Sequence, residues 1–232
     1  EIAQTRKNYE DGEKYFLKSI EIKETNMGKN NNELVPLFLT LGGFYQAFEK
    51  EDKALEVYEK ALHISKEKNG DENNVTADVY FSIGKYYYTL KNYKKAEEAF
   101  LRSFSIYDKN KDNKKIVFSY DYLGLLNQQK GNLVDAESYF RLSAKQKALT
   151  LGKTSLEYAK SLNNLGSLYV MQEKKEAEAI LKEAFSICEK KFGPEHTSLT
   201  PTIKNLLAYY TKFPNEAELQ KYTELLTKIN RA

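Results

Sequence analysis

The chain has a single cysteine, two histidines and four prolines among its 232 residues. The lone Cys188 excludes an intramolecular disulfide. It lies in the apolar run Ala184-Phe185-Ser186-Ile187-Cys188 and reads as a small core hydrophobe, not a reactive thiol. His63 and His196 are far apart, and neither has a cysteine or carboxylate at metal-ligand spacing, so no metal site and no cofactor is expected. His63 reads as a packing or surface residue beside Leu62 and Ile64, and His196 as part of a turn entering a helix. No apolar run approaches the roughly 18 residues of a membrane span. Charge of one sign is also scarce: 36 basic and 33 acidic residues leave a net charge of +3. The lysines are interleaved with glutamates and form no one-sided basic stripe, which argues against nucleic acid as a partner.

Catalytic signatures are missing as well. No serine is flanked as Gly-x-Ser-x-Gly, and Gly42-Gly43 falls inside a helical pattern, where small residues serve close packing. The Glu97-Glu98 pair reads as a solvated helix face, so the chain is not expected to be an enzyme. Asn74-Val75-Thr76 is a formal glycosylation acceptor that has meaning only in a secreted eukaryotic protein. No signal segment is visible, which favours the cytoplasm and leaves periplasmic or secreted placement open.

What is abundant is periodicity. Gly42, Gly84, Gly124 and Gly166 recur at intervals of 42, 40 and 42 residues, and Leu207 follows after 41. Four before each anchor stand Phe38, Tyr80, Tyr120, Leu162 and Ile203; one before stand Leu41, Ile83, Leu123, Leu165 and Leu206. Three after stand Tyr45, Tyr87, Asn127, Tyr169 and Tyr210. These offsets share one face of a 3.6-residue helix. A second helix follows in each copy, marked by Gly12, Ala54, Ala96, Ala136, Ala177 and Ala217. A bulky residue comes four later in the clearest copies, at Tyr58, Phe100, Phe140 and Leu181. Small residues allow close helix approach, and the bulky residue fills the next layer. Tyr86, Tyr87 and Tyr93 therefore read as core.

Ile83-Gly84, Tyr87, Ala96 and Phe100 follow the tetratricopeptide pattern, as do Leu41-Gly42, Tyr45, Ala54 and Tyr58. The third copy departs from it at Asn127, and the fourth is one residue short between its glycine and alanine. The long period, together with Phe192-Gly193-Pro194-Glu195-His196 and Ala159-Lys160-Ser161-Leu162-Asn163-Asn164-Leu165, resembles the kinesin-light-chain variety of that family. The expected fold is an all-α, right-handed superhelical solenoid of antiparallel helix pairs, with about five and a half tetratricopeptide repeats. A half repeat over 1–26 precedes pairs near 33–69, 75–109, 114–149, 155–192 and 197–231, in one domain over 1–232. Aligning Lys7-Asn8-Tyr9 with Lys91-Asn92-Tyr93 places a turn near residue 8 and suggests that the natural chain extends upstream. The last helix is expected to cap the array with Ala217, Leu225 and Ile229 inward, and Glu216, Lys221, Glu224 and Lys228 toward water.

The resemblance further implies that first helices line a concave groove, into which offsets −3, +1 and +4 point. At −3 stand Leu39, Phe81, Asp121, Asn163 and Lys204; at +1 Gly43, Lys85, Leu125, Ser167 and Ala208; at +4 Gln46, Tyr88, Gln128, Val170 and Thr211. On the flank at −2 lie Tyr122, Asn164 and Asn205. The candidate peptide-binding residues are Phe81, Lys85, Tyr88, Asp121, Tyr122, Gln128, Asn163, Asn164, Ser167, Lys204 and Asn205. Asparagine and glutamine both donate to and accept from a peptide backbone. Lys160, Asn164 and Lys204 are only a fragment of the family's two-carboxylate clamp. The expected function is a scaffold for a protein or peptide partner, of open oligomeric state. A peptide-sensing arm of a larger bacterial signalling protein and a self-associating assembly scaffold are the alternatives.

Overall fold

The computed structural model describes the backbone of residues 2–231 and the side chains of residues 8–231. The described residues form eleven α-helices, ordered as α1 (Ile2–Met27), α2 (Val35–Ala47), α3 (Glu51–Asn69), α4 (Asn74–Thr89), α5 (Tyr93–Lys109), α6 (Asn113–Gln129), α7 (Leu133–Thr150), α8 (Leu156–Met171), α9 (Ala177–Phe192), α10 (Thr200–Lys212) and α11 (Glu216–Arg231). Short 3₁₀ turns, Asn32–Leu34 and Thr197–Leu199, lead into α2 and α10. The chain divides into two compact units, residues up to Asp112 and residues from Asn113 onward.

Local chemistry sets the boundaries. Asn73 and Ser155 accept hydrogen bonds from the backbone N–H of Val75 and Tyr158, capping α4 and α8. Pro36 and Pro201 stand in the first turn of α2 and α10, where a missing N–H costs nothing. His196 acts as a cap too: its Nδ1 accepts from the Ser198 N–H at 3.1 Å, and its ring stacks on Phe192 at 4.5 Å. It fixes the bend into the Thr197–Leu199 turn, as its position in the sequence suggested.

Within each hairpin the anchor glycine lies under the bulky residue of the second helix. A Cβ on Gly42 would stand 2.4 Å from Tyr58 Cε1, and one on Gly84 2.6 Å from Phe100 Cδ1. Gly124 faces Phe140 and Gly166 faces Leu181 in the same way. In the first unit Leu41, Tyr45, Ala54, Tyr58 and Ile83 join one core. In the second, Phe140, Leu165, Leu181, Leu206, Tyr210 and Tyr222 join another. The first helices approach one another directly, with Cα atoms within 8 Å between α2 and α4, α6 and α8, and α8 and α10. Second helices do not come together to that extent. Lys182 and Glu218, for example, link α9 to α11 only through their side-chain ends, at 3.0 Å.

Two expectations need correction. Helix α1 runs unbroken through Lys7-Asn8-Tyr9, where a turn was expected. The matching turn at Lys91 has a left-handed residue, φ +57°, which is tolerated because α4 and α5 bury each other's faces. In α1 the helix continues instead, and Tyr9 stacks its ring on Phe44 of α2 at 5.7 Å. In α11 the small-residue slot belongs to Glu218, not Ala217, which is exposed. The spacing from Leu207 shortens as it does after Gly166, and burial of Tyr222 (2% exposed) sets the helix rotation. Ile229 and Leu225 do pack inward, while Glu216, Lys221, Glu224 and Lys228 stay exposed. The amide of Asn74 donates to Asp112 Oδ2 at 2.9 Å, and its Oδ1 accepts from Asn110 at 2.8 Å, tying the start of α4 to the end of α5.

Candidate functional site

The first-helix stripe falls partly in each unit. In the first, Phe81 packs against Phe100 with ring centroids 5.5 Å apart, and the Lys85 ammonium lies 5.6 Å from the Phe81 centroid. Burial pushes the Lys85 ammonium below the usual lysine range, so its ring contact partly replaces lost water. Tyr88 tilts against Tyr93 at 5.7 Å, and burial raises its phenol. Gln46, one repeat earlier, is held on both ends, accepting from Tyr58 at 2.6 Å and donating to Thr89 at 3.2 Å. This stripe is aromatic with one cation.

The second unit is different. Asp121 turns inward and joins a polar network: Ser143 and Ser161 donate to its Oδ1 at 2.5 and 2.9 Å, and the Lys147 ammonium binds its Oδ2. Lys147 is wholly buried, also donates to Ser161 at 2.9 Å, and sits 5.1 Å from the Phe118 centroid. A charge at that depth persists only because a carboxylate and hydroxyls replace its water. The Asp121 carboxylate thus ties α6 to α7 and α8. Gln128 points elsewhere again, its Nε2 2.8 Å from Met171 Sδ. Tyr122 and Ser167 are half-buried.

Three asparagines do come together. Asn205 on α10 donates to Asn163 Oδ1 on α8 at 3.0 Å, and Asn163 and Asn164 both line a cavity of about 430 Å³. Its other walls include Leu156, Ala159 and Lys160 from α8, Cys188 and Phe192 from α9, and Pro201 at the start of α10. The cleft therefore lies between two first helices, with the end of a second helix behind them. Lys204 is exposed one residue before Asn205 on α10. Burial raises the Cys188 thiol above its ordinary value against the opposing pull of Lys160, which keeps it protonated at neutral pH. Cys188 is half-buried against both cores of this unit, in keeping with a packing role.

Neither Lys147 nor Cys188 stood out as part of this face in the sequence. A signal existed for Lys147: eleven residues past each small marker stand Ser65, Tyr107, Lys147 and Cys188, a slot that is otherwise core. A lysine there needs a buried partner. His63, by contrast, is a surface residue, its ring 74% exposed and 3.8 Å from Glu67. Among the described residues no cluster of histidine, cysteine and carboxylates is arranged to hold a metal, and no helix is long and apolar enough to cross a membrane.

Solved structures share this architecture at low identity. BtubC (BKLC) from P. vanneervenii is 19% identical, with 97% of this chain and 91% of that one covered and a TM-score of 0.80. A Podosopora anserina protein of nearly identical, kinesin-light-chain TPR-like repeats is 19% identical over 86% of this chain and 96% of that one, with a TM-score of 0.69. The Rap conjugation gene regulator of plasmid pLS20, solved with the Phr* peptide, is 19% identical and covers 96% of this chain and 61% of that one, with a TM-score of 0.68. A search of curated proteins finds no match. A tetratricopeptide repeat profile matches residues 36–109 and 117–190, well over half of the sequence. With the anchor glycines seated under their bulky partners in these same segments, the chain belongs to the tetratricopeptide repeat family.

Proposed function

We propose that the protein is a non-enzymatic, cytoplasmic scaffold that holds a peptide or partner segment on the first-helix face of its second unit. The cleft between α8 and α10 carries this reading. It offers an apolar hollow for a side chain beside carboxamides that can hydrogen-bond a peptide backbone. Asn163, Asn164 and Asn205 would hold the backbone, and Lys160 and Lys204 would favour a ligand with negative charge. The Asp121 network keeps α6, α7 and α8 in fixed relation, so the face is preorganised.

A partner isolated from native lysate and identified by mass spectrometry is then titrated against wild type and Asn164→Leu/Lys204→Glu. Neither residue is in the core, so helicity and melting should hold. Each change should weaken binding by roughly 1–2 kcal/mol, the range of modest hot spots. Undiminished affinity in the double variant sinks this placement. A second reading, a peptide-sensing arm of a larger regulator, is favoured by the likeness to the Rap regulator solved with a peptide. An output domain in the complete coding sequence would support it.

A further inference from the structure

Each second helix has an outward face of similar chemistry, and α7 breaks the pattern. Counted from the small marker, positions −2, +6 and +13 carry Asp52, Lys60 and Glu67 in α3, and Lys94, Arg102 and Lys109 in α5. At α9 they fall on Lys175 in the turn before it and on Glu183 and Lys190 within it; in α11, counted from Glu218, on Glu216, Glu224 and Arg231. All of these are charged. In α7 the same three positions hold Val134, Leu142 and Leu149, which are 78%, 41% and 72% exposed.

These three fall on one side of α7, opposite the buried Ala136, Phe140 and Ser143, and span about 22 Å at 1.5 Å per residue. Exposed single hydrophobes are ordinary, but an aligned set standing where α3, α5, α9 and α11 carry charge is a surface kept apolar. Folding does not require it, because α5 folds with Lys, Arg and Lys at those sites. The stripe also carries a cation. Lys145 is exposed between Leu142 and Leu149; Arg141 on the border is held by Glu137 at 2.9 Å, and Asp135 is the exposed acid at the far end, beside Val134.

We propose that the outer face of α7 is a docking surface for an acidic amphipathic helix of a partner protein. Such a helix would set apolar residues about two turns apart against Val134, Leu142 and Leu149, and a carboxylate against Lys145 between them. The length and straightness of the stripe match a helix laid alongside α7. The surface is separate from the α8–α10 cleft and does not depend on it.

The test uses a synthetic amphipathic peptide of about five turns, with leucines on one face and glutamates beside them, and a twin with lysines in place of the glutamates. Both are titrated by fluorescence anisotropy against the full chain and against Val134→Lys/Leu142→Arg/Leu149→Lys, the residues α5 carries. The glutamate peptide should bind wild type at least about tenfold more tightly than it binds the variant, and the lysine twin should not bind. Circular dichroism checks the variant's fold. If it fails to fold, Lys145→Glu serves instead and should weaken the glutamate peptide while favouring its twin. Equal binding of the two peptides, or no binding of the glutamate peptide at millimolar concentration, overturns the proposal. So does wild-type binding to phosphatidylglycerol vesicles that the variant lacks, which assigns the stripe to a membrane. Self-association of wild type, lost in the variant by light scattering, assigns it to a second copy and overturns the proposal equally.

Discussion

The hydroxyl of Tyr169 donates to Glu137 Oε1 across 2.8 Å, joining the first helix of one repeat to the second helix of the repeat before it. Lys174 and Arg141 close on the same carboxylate at 2.7 and 2.9 Å. The arrangement recurs: Tyr210 donates to Glu178 at 2.8 Å, and Lys182 pairs with Glu178 at 2.8 Å. In the first unit, Glu13 binds Tyr9 and Lys53, both at 2.7 Å, and Lys53 lies over the Tyr45 ring. Tyr169 and Tyr210 thus fill the core with their rings and clasp the neighbouring repeat with their hydroxyls.

Acid should loosen this clasp. Burial opposes ionisation of Glu137, but hydrogen bonds from Lys174, Tyr169 and Arg141 outweigh it and hold the carboxyl at about 2. A folded-state value below the unfolded value of about 4.3 stabilises the fold above that pH. The contribution is lost as pH falls from there through about 2. Glu137→Gln should cost about 1–3 kcal/mol at neutral pH, the range for hydrogen bonds to a charged group. It should also flatten the acid limb of a urea-unfolding series; an unchanged limb would contradict the assignment.

Adjacent glycines should respond in opposite ways. Gly42→Ala drives a methyl into the Tyr58 ring and should lower stability by about 1–3 kcal/mol. A methyl on Gly43 would meet nothing within 4 Å, so Gly43→Ala should raise stability by up to about 1 kcal/mol through helix propensity. Thermal melts of the two variants check the difference in sign.

The Asp121–Lys147 pair should be strongly non-additive. Asp121→Asn strands a fully buried ammonium and should cost about 3–5 kcal/mol. Asp121→Leu combined with Lys147→Met removes both charges and should recover much of that loss. A double-mutant cycle by chemical denaturation measures the coupling; simple additivity would show that the network does not act as a unit.

The turns between paired helices place Glu49, Lys91 and Glu173 at φ of +56°, +57° and +55°, where the third copy uses Gly131. Lys91→Gly should therefore stabilise by about 0.5–1 kcal/mol, since the left-handed conformation is costly for any residue with a Cβ. A lowered melting temperature would mean that the lysine side chain matters more than the backbone.

Tyr222 should hold the last helix in place. It stacks on Tyr210 at 6.1 Å and meets Phe185 edge-on at 5.5 Å. Tyr222→Ala should cost about 3–5 kcal/mol, as for other large buried aromatics. Deleting residues 213–232 should expose this face and promote aggregation, read by light scattering; a monomeric, equally stable truncation would contradict the cap.

The sequence alone was enough for the helix pairs, their order and the face on which the anchor glycines lie. Each depends on residues a few positions apart on one helix, or on a helix and the one next to it, where 3.6-residue periodicity and short turns leave little choice. The asparagines were legible as residues of the first-helix stripe, but Asn163 and Asn205 stand at different offsets, and their hydrogen bond came from the structure. Tertiary structure decided the rest. Asp121 shares a stripe with Phe81 and Asn163, yet its carboxylate turns inward because Lys147, 26 residues away, is buried beside it and must be neutralised. Glu218 displaced Ala217 because burying Tyr222 outweighs seating a methyl. Only exposure in the folded chain showed that Val134, Leu142 and Leu149 form a surface instead of core, since periodicity reports which residues share a helix face and not what that face meets.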